Sequence, residues 1–200
     1  MNLTEEKLGR LVEKPDCVYT TCYCEENIWK LCDKTRQMHP GILPKCYCVF
    51  ISNLKRMIPL WCQKSSKRSD KRVIWDYHVI FIYKGDPEPV IYDLDTTLPF
   101  PCSISEYIDS AITNEDRFNN DFKRLFRVIK AREYLETFAS DRSHMIDEET
   151  GDYQSPPPKY PCIQTSECSN NIQEFINMEK GNGVGVVMTL PEFCDRFSKS

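Results

Sequence analysis

Three segments between Cys46 and Asp95 constrain this chain more than anything else in it. CYCVFIS (46–52), RVIWDYHVIFIY (72–83) and PVIYDLD (89–95) are dense in β-branched and aromatic residues, and turn formers bound each one. Segments of that kind pair with one another, so an antiparallel sheet is expected. Ahead of them, CEENIWKLCDKTRQ (24–37) spaces Ile28, Leu31 and Cys32 at helical intervals beside Trp29, which predicts an amphipathic helix beginning at Cys24. Glu25 and Glu26 in its first turn and Lys34 and Arg36 in its last complement the helix dipole, and His39, Pro40 and Gly41 end it. Beyond the sheet, Ile104–Ile112 reads as a helix, and so does the segment from Phe118 to about Phe138, with its series Phe122, Leu125, Phe126 and Ile129. Asn171–Met178 reads as a short helix, Gly183–Met188 as a strand and Leu190–Phe197 as a last helix. Residues 147–162, acidic and containing Pro156–Pro158, read as a loop, and residues 1–15 as a tail or short helix. With no internal repeat and no boundary, 200 residues make one α+β domain, an antiparallel sheet with packed helices.

Several classes of function fall away on composition. No stretch approaches the roughly 20 apolar residues of a membrane helix, and the opening MNLTEEKLGR lacks the apolar core of a signal peptide. The expected compartment is the cytosol, with the nucleus open to it. The net charge is −4, and the one basic run, Lys64–Arg72, is diluted by serines and Asp70 and carries no aromatics. It reads as a solvated loop, and neither nucleic acid nor membrane is an expected partner. The 11 cysteines are an odd set in a reducing compartment, so they read as small apolar residues plus one reactive thiol rather than as disulfides. A zinc site from Cys22, Cys24, Cys46 and Cys48 is disfavoured, because each pair has one intervening residue where structural zinc sites use two to four.

A thiol becomes a nucleophile when its pKa is lowered, and a helix start with a neighbouring histidine is the common device. Cys24 lies at such a start, with Cys22 as its competitor; Glu25 and Glu26 oppose activation unless they point away. Of the three histidines, His39 lies in a turn and His144 in FASDRSHM, where Asp141, Arg142 and His144 read as a structural polar cluster. His78 sits mid-strand among apolar residues, where an imidazole needs a partner. A hairpin turning at Gly85–Asp86 sets Asp93 across from it, and a register shifted by two sets Asp95 there instead.

At this point the strings CVYTTCYCEENIWKLC, VFISN, MIPLW, VIWDYHVIF, IYDLDTTLPFPC, FRVIKAREYLETFASDRSHM and PPPKYPCI carry a resemblance. From about Cys17 to Phe197 the chain resembles the protein N-terminal glutamine amidohydrolase family. The resemblance implies a fold like the papain and transglutaminase cysteine enzymes, a cytosolic and nuclear monomer without a cofactor, and hydrolysis of N-terminal glutamine to glutamate in proteins or peptides, which feeds arginylation in the N-degron route. It also implies Cys24 as nucleophile, His78 as base and Asp93 as the acid of the triad. A free N-terminus calls for a carboxylate facing the α-ammonium. Asp76 is the first candidate, on the face of His78 by strand alternation, and Glu25 the second; Tyr23 and Trp75, which flank the triad residues, are candidates for the pocket wall.

Overall fold

The computed structural model describes residues 11–113, 115, 116 and 118–198. A six-stranded antiparallel sheet is built from β1 (Cys46–Ser52), β4 (His78–Tyr83), β5 (Val90–Tyr92), β6 (Cys102–Ser103), β7 (Leu125–Lys130) and β8 (Val186–Thr189), in the order β6-β5-β4-β1-β7-β8. A separate ladder joins β2 (Ile58–Leu60) to β3 (Val73–Trp75). The helices are α1 (Cys24–Met38), α2 (Ile104–Tyr107, widening into a π turn through Ile112), α3 (Ala131–Thr137), α4 (Ile172–Ile176) and α5 (Leu190–Ser198). None of the described helices is long and apolar enough to cross a membrane.

The central strand explains the layers. All seven residues of β1 are buried, because helices cover both faces of the sheet. Cys48 and Phe50 pack with Ile28, Leu31 and Cys32 of α1, while Tyr47, Val49 and Ile51 pack with Phe193 and Phe197 of α5 on the other side. Phe50 is the centre of an aromatic cluster with Tyr134, Phe138 and Phe175, at 5.5 to 6.5 Å between ring centroids. The antiparallel sheet, α1 and the strand at 46–52 thus stand where the sequence puts them, and an α+β class is the result.

Two expectations need correction. The segment 72–83 is two strands: β3 joins the small ladder, β4 joins the main sheet, and Asp76–Tyr77 turn between them. The break is held by Ser52 Oγ, which donates to the Asp76 carbonyl at 2.6 Å, and by Tyr77 N–H, which donates to the Asp76 carboxylate at 2.9 Å. The stretch from Phe118 to Phe138 is not one helix but a short helical turn (Asn120–Phe122), then β7, then α3. Arg124 and Arg127, which a helix would turn to solvent, are buried instead at 1% and 0% exposure. Arg124 donates to the Pro59 and Ile112 carbonyls and pairs with Glu115, and Arg127 donates to the carbonyls of Asn177, Asn182 and Val184. Of the tail at 1–15, residues 1–10 lie outside the described residues, and a helical turn at Lys14–Asp16 follows. Of the two hairpin registers open to the sequence, the structure takes the second, which pairs Tyr83 with Val90 and Phe81 with Tyr92.

One buried ion pair fastens α1 to the loop after α3. Arg142 grips Glu26 with two hydrogen bonds, at 2.8 and 2.9 Å, and also donates to the Pro158 and Tyr160 carbonyls. Glu26 is fully buried, so removing its cation strands a charge in the interior. Arg142→Met is expected to lower stability by about 3–5 kcal/mol in urea unfolding; a loss below about 1 kcal/mol would show that the pair is not structural.

Candidate active site

Cys24 is the first residue of α1, and the turn that delivers it is pinned from both sides. Asn27 accepts from the Thr20 N–H and donates to the Thr20 carbonyl, both at 2.8 Å, while Cys22 adopts a left-handed conformation (φ 68°) at the bend. The cysteine therefore enters a helix start with its neighbours fixed. Its sulfur lies 3.7 Å from Glu25 Oε2 and also meets the backbone N–H of Val79 on β4, the strand on which α1 packs.

His78 opens β4 and is 1% exposed, its ring stacked on Trp75 with centroids 5.5 Å apart. Nε2 and Asp93 Oδ1 are 2.9 Å apart. Asp93 is itself held on both oxygens, Oδ1 by the Asp95 N–H at 2.9 Å and Oδ2 by the Tyr107 hydroxyl at 2.8 Å. The observed register, continued, would set Asp95 opposite His78. Pairing stops at Tyr92, however, and just past the end of β5 the chain bends so that Asp93 meets the imidazole diagonally. The pair anticipated from the sequence is thus made, by a different route. His78 Nδ1 is buried without a hydrogen-bond partner.

Cys24 and His78 share one cleft of about 360 Å³ whose wall includes Cys22, Trp75 and Asp76 on one hand and Asp95, His144 and Gln154 on the other. Among the described residues, His78, Asp93 and Asp95 form a cluster with metal-ligand spacing, their ligand atoms within 4.8 Å. Asp93 and His78 satisfy each other there, and Tyr19 donates to Asp95 Oδ1 at 2.5 Å, so the cluster reads as an oriented imidazole rather than a metal centre.

The electrostatics are decided by burial and by carboxylates. Burial raises the Cys24 pKa well above the ordinary thiol value, and Glu25, Asp95 and Asp76 add to it against the single opposing N–H of Val79. These effects favour the thiol over the thiolate. Burial pulls the His78 pKa down, but the charge and hydrogen bond of Asp93, with Asp95 and Glu25 behind, outweigh it and leave it raised. Burial likewise pushes Asp93 up, and His78, the Asp95 N–H and Tyr107 together bring it below its ordinary value.

The other candidates divide. Trp75 and Asp76 line the cleft, Asp76 exposed and reached through the turn between β3 and β4 rather than by alternation along a strand. Tyr23 does not wall the pocket: it is fully buried, and its hydroxyl donates to the Ser155 carbonyl at 3.0 Å. Glu25 is fully buried behind the cleft wall, where Tyr77 OH donates to Oε2 at 3.0 Å, and Glu26 points away to Arg142. His144, read from the sequence as structural, stands in the cleft wall beside Glu25. It arrives on a short helical turn (Ser143–Met145), where no periodicity could have flagged it. Only its place in the string FASDRSHM marked it.

Known proteins resemble this chain over most of its length. A family model described as N-terminal glutamine amidase matches residues 19–197. A Bos taurus protein named protein N-terminal glutamine amidohydrolase is 49% identical over 183 residues, covering 91% of this chain and 87% of that one. Its Homo sapiens namesake is 49% identical over 182 residues (90% and 88%), and one from Drosophila ananassae 44% over 186 residues (92% and 90%). A match that spans every element of the cleft, at close to half of all positions, leaves one conclusion: the chain belongs to the N-terminal glutamine amidase family.

Proposed function

We propose that this chain deamidates an N-terminal glutamine of proteins or peptides to glutamate with release of ammonia, using Cys24 as nucleophile, His78 as base and acid, and Asp93 to hold the imidazole. The observation that carries this reading is that His78 has Nε2 tied to Asp93 and Nδ1 uncommitted, in the cleft that also holds the thiol at a helix start. Asp93 fixes the tautomer and orientation, so the free nitrogen is the one that takes the Cys24 proton. The thiolate attacks the side-chain carboxamide carbon, and first-turn N–H groups of α1 stabilise the oxyanion. His78 returns the proton to the departing ammonia, leaving a glutamyl thioester. Water, deprotonated by the same nitrogen, then attacks the thioester, and the carboxylate leaves as Cys24 regains its proton. Asp76 at the rim and Asp95 in the wall give the cleft the negative charge that suits an α-ammonium. The product, an N-terminal glutamate made in cytosol or nucleus by a monomer, is the acceptor class for arginylation in the N-degron route.

Because the resting thiol is neutral, the reaction needs a neutral imidazole. His78 titrates above its ordinary value, so kcat/KM is expected to climb with pH through a midpoint above about 6.5. An acidic limb near pH 4 to 5 would instead indicate a resting thiolate–imidazolium pair. The activity itself is tested with peptides beginning in Gln, Asn or acetylated Gln. Ammonia from the free Gln peptide alone supports the reading; crosslinks to lysine or shortened peptides would replace it with a transglutaminase or a peptidase.

A further inference from the structure

The cleft contains a second imidazole–carboxylate pair that the mechanism above does not use. His144 Nε2 lies 3.6 Å from Glu25 Oε1 and 3.4 Å from the Tyr77 hydroxyl, and that hydroxyl donates to Glu25 Oε2. Glu25 Oε1 and His144 Nδ1 are both buried without a hydrogen-bond partner. The parallel with Asp93 and His78 is partial: a fully buried carboxylate faces one ring nitrogen, at 3.6 Å rather than through the 2.9 Å hydrogen bond of the first pair, and the other nitrogen is left over. The Glu25 side chain is 0% exposed while that of His144 is 11% exposed and lines the cleft, so a ligand reaches the histidine and not the acid.

We infer that His144 is a specificity-determining residue whose ring shifts on substrate binding to bring Nδ1, covered at rest, onto one N–H of the substrate α-ammonium, with Glu25 and Tyr77 as positioning residues that keep Nε2 turned away from the cleft. This deepens the deamidase reading and rests on it. The dimensions suit the role. Glu25 spans the gap, with Oε2 3.7 Å from the sulfur and Oε1 3.6 Å from His144, and the α-nitrogen of glutamine is separated from its carboxamide carbon by four single bonds, about 5 Å when extended. The charge suits it too: Asp76 lines the same cleft, which favours a cation there. A ring nitrogen backed by a buried anion favours a cationic donor over the single uncharged N–H of an acylated nitrogen.

The test compares a Gln peptide with its desamino analogue, in which the first residue is a 4-carbamoylbutanoyl group without the amine. Wild-type protein is expected to prefer the Gln peptide, and a wild type inactive on both would sink the deamidase reading itself. His144→Asn and His144→Gln are expected to lose about 10- to 100-fold in kcat/KM on the Gln peptide, mainly through KM, and to leave the analogue unchanged. Equal loss on both substrates by a variant that melts like the wild type, or undiminished preference, overturns the inference. A measurement that needs no histidine variant guards against misfolding: in ¹⁵N-histidine-labelled Cys24→Ala protein, the Gln peptide is expected to shift the His144 Nδ1 resonance and the analogue to leave it in place. Identical spectra with both ligands would also overturn it.

Discussion

Cys24→Ala is expected to abolish deamidation, with a loss of about 10⁶-fold, the scale on which hydrolases fall when their nucleophile is removed, and to leave the melting temperature close to the parent's. The substitution removes one sulfur from the cleft and with it two weak contacts, to Glu25 at 3.7 Å, which Tyr77 also serves, and to the Val79 N–H, for which a thiol is a poor acceptor. Cys22→Ala is the control. Cys22 lines the same cleft but is exposed, sits at a left-handed bend and does not start the helix, so its loss is expected to cost less than about tenfold. A reversal of the two results would move the nucleophile two residues back.

The next largest effect belongs to Asp93. Asp93→Asn keeps the shape of the side chain and, with its oxygen toward Asp95 N–H and His78 and its NH2 toward the Tyr107 hydroxyl, keeps partners for each, but it removes the negative charge beside the imidazole. The imidazolium that forms when His78 takes the Cys24 proton then lacks its counter-charge, and kcat is expected to drop about 10⁴-fold with little change in KM. Stability follows with a definite sign. The raised pKa of His78 makes its contribution complete below its unfolded value and lost as pH rises through the folded one; the lowered pKa of Asp93 makes its own contribution complete above the unfolded carboxylate value and lost as pH falls through the folded one. Both are present together from about pH 4 to 6.5. The difference in melting temperature between wild type and Asp93→Asn should be widest in that window; a difference that grows steadily toward pH 9 would contradict the ion pair.

What could be read from the sequence follows from which forces act locally. The strand at 46–52 and the helix from Cys24 are legible because their apolar patterns and end signals are carried by their own residues. The stretch through Leu125–Lys130 is not, since a strand buried on both faces shows no alternation, and its buried arginines mimic the polar face of a helix. The break at Asp76–Tyr77 depends on Ser52 from another strand, a contact no local reading contains. The partnership of His78 and Asp93 was legible as a pair, although the hairpin register that suggested it is shifted by two residues, because the bend after Tyr92 restores the contact. His144 and Tyr77 reach Glu25 across 119 and 52 positions. Separations of that size are invisible to spacing, so this side of the cleft is its least legible part.

The most direct test of the chemistry is mass spectrometry of enzyme quenched in acid during turnover of a Gln peptide, with fragmentation to separate Cys22 from Cys24. Expected is a fragment heavier by the peptide less ammonia, with the added mass on Cys24. Glutamate formed at full rate while Cys24 stays unmodified, or the added mass found on Cys22, would contradict a thioester at this sulfur.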